Sequence, residues 1–220
     1  MSLTNLSLDY LIREPKTNTK NPALLVMLHG YGSNQKDLFS FANELPDELL
    51  IISVKAPLSL GFESYSWYTI HFNSTDSSKF SDIPEAKDAL QKINTFIDEI
   101  VHTYKVNTTN VFILGFSQGT ILSTAFALNN PNKVNHIIAL SGYVNEDLLE
   151  SDFHKNDFSN LDFFVSHGSV DQVIPVDWAK KTSLFLNQLN IQNTYQEYAV
   201  GHGVAPQNFH DLNTWIQKRL

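Results

Sequence analysis

Residues 111–119 read Val-Phe-Ile-Leu-Gly-Phe-Ser-Gln-Gly, an apolar run that leads directly into the pattern Gly115-x-Ser117-x-Gly119. The apolar run predicts a buried strand, and the apolar residues that follow recur at helical spacing until a stop at residues 129–131. A glycine-flanked serine between a strand and a helix is typical of a nucleophile elbow, the tight turn that exposes a serine hydroxyl at a sheet edge. An ordinary glycine-flanked turn is the alternative, so the rest of the chain must supply a base, an acid and an oxyanion hole.

Composition bounds the class of protein. The chain has 220 residues, 42% of them hydrophobic, which fits a single domain over residues 1–220 with its own core. Its 15 Lys+Arg and 23 Asp+Glu give a net charge of −8 without a basic stripe, so nucleic acid is not an expected partner. The absence of cysteine excludes disulfides and a cysteine nucleophile. No apolar run suggests a signal peptide or a membrane span, and we expect a cytoplasmic protein.

Strand-like and helix-like segments alternate along the chain, which indicates βαβ units. We therefore expect an α/β fold with a mostly parallel central sheet and helices on both faces. About twenty residues separate the strands near 140 and 162, too few for a lid domain. The predicted strands are Leu6–Ile12, Ala23–Leu28, Leu50–Val54, the elbow strand from Val111, His136–Leu140, Asp162–Val165 and Thr194–Ala199. The predicted helices are Gln35–Glu44, Ile83–Tyr104, the helix after the elbow, Trp178–Leu189 and Gln207–Leu220, and Lys55–Ser81 is predicted to be irregular.

Strand polarity selects the base. In an open parallel sheet, ligands bind at the carboxyl ends of the strands, and only His29, His167 and His202 directly follow predicted strands. His202 comes after Ser117 with acids between them, the chain order of α/β-hydrolase triads. We therefore predict that His202 is the base, that His167 hydrogen-bonds its own loop, and that His29 braces its own turn.

The same reasoning selects the acid. Asp171 follows strand Asp162–Val165 at the correct edge, whereas Asp162 opens that strand at the opposite edge. Asp177 stands where a helix is predicted to start and is interpreted as its cap. Asp147 follows the preceding strand and is the alternative acid. In the preferred assignment His202 takes the proton of Ser117, and Asp171 orients the imidazole.

Two loops are predicted to supply the oxyanion hole. The backbone N–H of Gln118 lies at the start of the helix after the elbow, and the N–H of Tyr31 lies in the loop after strand Ala23–Leu28. The pattern Gly30-x-Gly32 could instead begin a dinucleotide site, but the third glycine position is Gln35. No metal-ligand spacing is present either, so neither a cofactor nor a metal is expected.

Together these motifs resemble the phospholipase/carboxylesterase family of α/β-hydrolases, which includes acyl-protein thioesterases and lysophospholipases. The resemblance rests on Leu28-His29-Gly30-Tyr31-Gly32, Gly115-Phe116-Ser117-Gln118-Gly119, His167-Gly168-x-x-Asp171-x-x-Ile174-Pro175-Val176 and Gly201-His202-Gly203. It implies the triad Ser117, Asp171 and His202, and the oxyanion donors Tyr31 and Gln118. It also implies that Trp67 of the Ser66-Trp67 pair lies beside the substrate, and that the protein can form a homodimer.

Two departures concern the branch of the family. The thioesterase branch usually has aspartate where this chain has Ser33, and small residues where it has Thr120 and Ile121. The resemblance is therefore greater to the bacterial carboxylesterases, and protein depalmitoylation is not carried over.

The expected function is hydrolysis of a small-molecule ester or thioester. The stretch Lys55–Ser81 is rich in apolar and aromatic residues and brings few basic ones, which favours a neutral carboxylic ester with a short or medium acyl chain. An acyl thioesterase or lysophospholipase is the alternative enzyme. A non-catalytic binding protein on the same fold is the alternative of a different class, although such proteins lose a triad member.

Overall fold

A seven-stranded sheet organises the computed structural model, which describes residues 6–72 and 79–220. The strands within these residues are β1 (Tyr10–Arg13), β2 (Leu24–Leu28), β3 (Leu50–Val54), β4 (Leu58–Gly61), β5 (Ser64–Ser66), β6 (Ile70–Phe72), β7 (Lys79–Ser81), β8 (Val111–Phe116), β9 (His136–Leu140), β10 (Asp162–Gly168) and β11 (Gln192–Tyr198). The helices are α1 (Lys36–Phe39), α2 (Ile83–Tyr104), α3 (Gln118–Asn129), α4 (Val176–Gln188) and α5 (Pro206–Gln217).

The sheet has the order β1-β3-β2-β8-β9-β10-β11. Strand β1 pairs antiparallel with β3, and every other pairing in this sheet is parallel. The carboxyl ends of β2, β8, β10 and β11 therefore share one edge, where the loops carrying the candidate site residues begin. The predicted α/β class with a mostly parallel sheet is confirmed.

Helices cover both faces of the sheet. Successive residues of a strand point to opposite faces, and along β2 they join two separate cores. Val26 packs in the cluster that holds the buried residues of α2 and α3, whereas Met27 packs in the cluster with α1 and α5. Both positions are fully buried, which explains why the strand is apolar throughout rather than alternating.

Helix α2 has the bounds that its sequence pattern predicts. Its N-cap Asp82 accepts a hydrogen bond from the Glu85 N–H at 3.0 Å, and Lys105 ends the helix in the left-handed region at φ 50°. Its apolar stripe, which includes Ile93 and Ile97, is buried in the core beneath the sheet. Among the residues that the structure describes, no helix is long and apolar enough to cross a membrane.

Several local predictions differ from the structure. The strand predicted at Leu6–Ile12 begins only at Tyr10, and the strand predicted at Asp162–Val165 continues to Gly168, so that His167 lies within it. The predicted helix Gln35–Glu44 shortens to α1, because the following residues form tight i→i+3 backbone hydrogen bonds instead of continuing the helix. The stretch Lys55–Ser81, predicted to be irregular, forms the hairpins β4–β5 and β6–β7, and residues 73–78 lie outside the described part. Asp177 lies within the first turn of α4, and Pro175 rather than Asp177 is the N-cap.

Candidate active site

Ser117 lies in a sharp turn between β8 and α3. Its backbone has φ 53° and ψ −114°, a conformation that costs a non-glycine residue about 1–3 kcal/mol and is concentrated at functional sites. The turn is held on both sides, because the Ser117 N–H donates to Leu140 O at 2.9 Å and the Ile121 N–H donates to Ser117 O at 3.1 Å. This is the geometry expected of a nucleophile elbow.

The glycines around Ser117 are required by close backbone approach. A Cβ on Gly119 would lie 2.0 Å from Leu28 O, and one on Gly115 would lie 2.5 Å from Gly119 O. Both distances are far inside van der Waals contact, and both partners are backbone atoms that cannot move aside. Helix α3 therefore packs against the end of β2 only because these two positions lack a side chain.

The predicted acid and base are in contact. His202 Nδ1 lies 2.7 Å from Asp171 Oδ2, although 31 residues separate them in the chain. The imidazole of His202 packs against the ring of Phe116, the residue before Ser117, with the ring centroids 5.0 Å apart. The Asp171 side chain is fully buried, whereas that of His202 is 18% exposed. The structure thus places a histidine with a buried carboxylate partner beside the elbow.

Asp171 is held as a carboxylate. Burial alone would raise its pKa, but the hydrogen bonds from His202 and from the Ile174 and Val173 N–H groups outweigh burial and hold the pKa below its usual value. The two backbone N–H groups donate to Oδ1 at 3.0 and 2.8 Å, which leaves Oδ2 for His202. The acid is therefore ionised at neutral pH and fixed in orientation.

The loops that carry Asp171 and His202 are packed onto each other. A Cβ on Gly168 would lie 2.1 Å from Gly201 O, so the two backbones approach closely. The Ser169 N–H donates to Tyr198 O at 2.8 Å, which links the end of β10 to the end of β11. This contact sets the relative position of acid and base independently of the elbow.

The two predicted oxyanion donors have no hydrogen-bond acceptor among the described residues. Among the described residues, neither the Tyr31 N–H nor the Gln118 N–H donates to a protein acceptor, whereas the neighbouring Gly32 N–H donates to Tyr65 O at 2.9 Å. A Cβ on Gly30 would lie 3.4 Å from Ser117 Cβ, so the loop after β2 lies directly against the serine. Two free N–H groups from loops that meet at Ser117 can bind a developing oxyanion.

His29 braces its own turn, as predicted. Its Nδ1 donates to Gly30 O at 2.8 Å, and its Nε2 accepts from the Ala56 N–H at 3.0 Å. One nitrogen donates and the other accepts, so the ring is neutral. Burial lowers the pKa of His29, and the hydrogen bond to Gly30 O offsets this only in part.

Trp67 lies beside the site but not in the wall of the pocket. Its side chain is 1% exposed, and its indole N–H donates to His29 O at 2.9 Å. The side chain of Gln118 clamps the same segment, accepting from the Trp67 N–H and donating to Tyr68 O. This departs from the expectation that Trp67 contacts substrate, because the indole is directed into the protein and holds the turn after β2. The sequence offered no signal for the clamp by Gln118.

A small cavity opens beside Ser117. It has a volume of about 110 Å³, and none of its lining side chains is charged. The lining residues are Tyr68, Ile70, Ser81, Ser117, Gln118, Ile121, Tyr143, Val173 and Trp178. Sequence reasoning missed Tyr143, Val173 and Trp178 as cavity residues. Tyr143 lies in the connection after β9, which carries no motif, Val173 stands at an open position of the motif after β10, and Trp178 lies in the first turn of α4.

A larger groove adjoins this cavity. It has a volume of about 580 Å³ and shares Ser81, Tyr143 and Trp178 with the cavity at Ser117. The rings of Tyr143 and Trp178 stand edge to face with centroids 4.7 Å apart, so this pair lies where the two spaces meet. Asp147, the alternative acid, is exposed in a short 3₁₀ turn at the groove. The carboxylate in contact with His202 is that of Asp171.

The remaining candidates lie apart from this site. Asp162 is at the opposite edge of the sheet, as predicted, where it accepts from His136 Nδ1 at 2.6 Å and pairs with Arg219. In the part of the chain that the structure describes, no group of three or more His, Cys, Asp or Glu side chains is arranged to hold a metal ion.

The fold and the site define the class of protein. A carboxylesterase of Bacillus cereus superposes with a TM-score of 0.82 at 19% identity, covering 98% of this chain and 96% of that one. Esterase PE8 superposes with a TM-score of 0.82 at 22% identity, covering 99% and 100% of the two chains. At these identities the likeness concerns the fold, which is the α/β-hydrolase fold.

The sequence comparisons define the family. The chain belongs to the phospholipase/carboxylesterase family, whose profile matches residues 11–220. Acyl-protein thioesterase 1 of Candida albicans is 27% identical over 226 residues, covering 94% of this chain and 96% of the relative. Lysophospholipase-like protein 1 of Mus musculus is 26% identical over 220 residues, covering 91% of this chain and 88% of the relative. The chain is therefore a serine hydrolase of the class that acts on ester bonds.

Proposed function

We propose that this chain is a serine carboxylesterase that hydrolyses short- to medium-chain carboxylic esters through an acyl-enzyme on Ser117. The observation that carries the proposal is the 2.7 Å contact between His202 Nδ1 and the buried carboxylate of Asp171, beside a serine in a strained elbow. A carboxylate on Nδ1 fixes the tautomer in which Nε2 is the free base. A histidine in that state can activate a neighbouring serine hydroxyl.

Acylation uses Ser117 and His202 together. Ser117 Oγ attacks the ester carbonyl carbon as its proton passes to His202 Nε2, and a tetrahedral oxyanion forms. The oxyanion accepts hydrogen bonds from the N–H groups of Tyr31 and Gln118. Collapse of this intermediate breaks the ester bond, and His202 returns the proton to the departing alkoxide. Asp171 remains ionised throughout and stabilises the imidazolium.

Deacylation repeats these steps with water as nucleophile. His202 Nε2 accepts a proton from water as the hydroxide adds to the acyl carbon, and the same two N–H groups bind the second oxyanion. Collapse releases the carboxylic acid and returns the proton to Ser117. Each oxyanion donor in a site of this kind contributes about 10²- to 10³-fold to kcat.

The volume of the cavity supports a short acyl group. The space beside Ser117 is about 110 Å³, which is small beside the roughly 580 Å³ of the adjoining groove. The uncharged lining disfavours an ionised group there, because a buried charge without a partner is costly. A longer group would have to pass Tyr143 and Trp178 into the larger groove.

Thioester or lysophospholipid hydrolysis is the second candidate. It is supported by the relatives from Candida albicans and Mus musculus, which are named as an acyl-protein thioesterase and a lysophospholipase-like protein. The adjoining groove of about 580 Å³ could take the longer part of such a substrate. The contact of Asp171 with His202 beside Ser117 argues against a non-catalytic binding protein.

The test compares the wild-type protein with Ser117→Ala on p-nitrophenyl esters. We expect the variant to lose about 10⁴- to 10⁶-fold in kcat, because the nucleophile is removed while the fold is retained. Retained turnover would refute the assignment. A series of acyl esters and matched thioesters from two to twelve carbons then separates the two candidates. The carboxylesterase proposal requires kcat/KM to be highest for a short- or medium-chain ester, and lower for the matched thioester and for the longest acyl chains.

A further inference from the structure

His167 is a buried histidine that the proposed mechanism does not use. It is the second-to-last residue of β10, and its side chain is fully buried. Its Nε2 lies 2.9 Å from Ile174 O, which confirms that it hydrogen-bonds its own loop. The loop in question is the one that carries Asp171.

The contacts of His167 show which of its ring nitrogens carries a hydrogen. The carbonyl of Ile174 can only accept, so Nε2 carries the hydrogen. Within the described residues the buried Nδ1 has no hydrogen-bond partner. The ring therefore presents its Nε2–H to the loop, whereas Nδ1 faces the interior without a partner.

The same Nε2 lies 3.2 Å from Asp171 Oδ2, the oxygen that contacts His202. The positive end of the N–H dipole therefore stands beside the negative charge of the acid. Ile174 closes the arrangement, because its carbonyl accepts from His167 while its N–H donates to Asp171 Oδ1. His167 thus contacts both the turn that carries the carboxylate and the carboxylate oxygen that faces the base.

Stability alone does not explain a histidine at this position. The hydrogen bond to Ile174 O stabilises the loop, but the unpartnered Nδ1 is a polar atom buried without a hydrogen bond, and its cost to stability offsets that gain. We propose that His167 is a positioning residue for catalysis. It holds the Asp171 carboxylate in the position that His202 requires, and its N–H dipole moderates the pull of the carboxylate charge on His202. The inference rests on the proposed function of the triad.

The proposal predicts a specific change in kinetics when the N–H of His167 is lost. In His167→Phe the carboxylate is freer to move, so kcat should fall by about 10- to 100-fold while KM stays unchanged. The charge of Asp171 then acts on His202 without the opposing dipole, so His202 keeps its proton to higher pH. The acid limb of the kcat/KM profile should therefore move to higher pH.

The groups around the two rings bear on this prediction. Among the described residues, Asp171 is the charged group in contact with His202, and the uncharged ring of Phe116 packs on its other side. His167 faces the same carboxylate and the Ile174 carbonyl. A shift of the acid limb therefore reports on the carboxylate between the two histidines.

The experiment measures kcat, KM and pH profiles for His167→Phe, His167→Gln and His167→Asn with a p-nitrophenyl ester. The glutamine amide can place an N–H close to the position of Nε2, so His167→Gln should stay within about threefold of wild type. Asparagine is polar but too short, so His167→Asn should behave like His167→Phe. His102→Gln, at an exposed position on α2, is the matched control and should change nothing.

Each outcome decides the proposal. A loss in His167→Phe with a shifted acid limb, rescued in His167→Gln, supports it. Equal losses in the phenylalanine and glutamine variants with an unmoved profile would show a purely structural role and overturn it, as would wild-type kinetics in His167→Phe. If that variant does not fold, an unmoved profile in His167→Asn overturns it. Retained turnover in Ser117→Ala, measured alongside, would instead refute the triad itself.

Discussion

Ser117 and His202 are each flanked by glycines, but the two pairs of glycines do different things. A Cβ on Gly119 would lie 2.0 Å from a backbone oxygen of β2, whereas a Cβ on Gly201 or Gly203 would meet nothing within 4 Å. The elbow is therefore shaped by steric contact between its own backbone and the adjacent strand. Steric contact at the two glycines beside His202 does not shape its loop in this way.

The position of His202 comes from residues far away in sequence. Its imidazole is held by Asp171 at 2.7 Å, and its loop is packed against Gly168, where a Cβ would lie 2.1 Å from Gly201 O. One half of the site thus depends on backbone packing within a local motif. The other half depends on contacts between two loops. The glycine-flanked patterns around Ser117 and His202 look similar in the sequence and do not show this difference.

The largest effect is expected where the hydrogen-bonded half is broken. Asp171→Asn should lower kcat by about 10⁴-fold, because an amide N–H can donate to Nδ1 and so stabilise the tautomer that cannot accept the proton of Ser117. Steady-state kinetics with a p-nitrophenyl ester measure this loss. Asp147→Asn is the matched control and should retain wild-type kcat. An inactive Asp147→Asn beside an active Asp171→Asn would reverse the assignment of the acid.

An intermediate effect is expected where the packed half is broken. Gly119→Ala should displace the start of α3 from β2, with a loss of stability of about 1–3 kcal/mol and a fall in kcat of about 10²-fold. Gly203→Ala, beside His202, should change the free energy of unfolding by less than about 1 kcal/mol. Urea denaturation and kcat measure both variants. Equal sensitivity of the two glycines would contradict the comparison.

The smallest effect concerns stability and pH. His29 is buried and neutral with a lowered pKa, so the folded protein resists its protonation while the unfolded chain accepts the proton. The free energy of unfolding should therefore fall as the pH drops below the ordinary histidine range, by at most about 1.4 kcal/mol per pH unit from this group. His29→Gln should flatten that dependence in urea denaturation between pH 7 and pH 5. An unchanged slope would show that His29 is not the group responsible.

Much of the fold follows from local patterns. The apolar strands β2, β3 and β8 and the amphipathic helix α2 were predictable, because burial on both faces or on one stripe leaves a strong periodic signal. The helix Gln35–Glu44 and the irregular stretch Lys55–Ser81 were predicted incorrectly. There, tight turns compete with helix formation, and short hairpins form against the rest of the structure rather than from their own pattern.

The residues of the candidate site likewise fall into those that the sequence predicted and those that it did not. Strand polarity and chain order pointed to Ser117, Asp171 and His202, and the contact between the last two agrees with that prediction. Trp67 was expected to face substrate, yet it is buried with its indole N–H on His29 O. The cavity residues Tyr143 and Trp178 were not predicted as site residues, because Tyr143 lies in a connection without a motif and a helical pattern around Trp178 does not show which side chains face the serine.

The sequence by itself determined the order of the main-sheet strands and of the longer helices α2 to α5, and it pointed to the elbow at Ser117 and to the edge of the sheet at which its partners lie. These properties depend on local backbone preferences and on the polarity of parallel strands, and short stretches of sequence are enough to indicate both. Only the tertiary structure decided that His167 contacts Asp171, that Trp67 holds the turn after β2, and that an uncharged cavity of about 110 Å³ adjoins the serine. Those features are distances between loops far apart in the chain, and packing alone sets such distances.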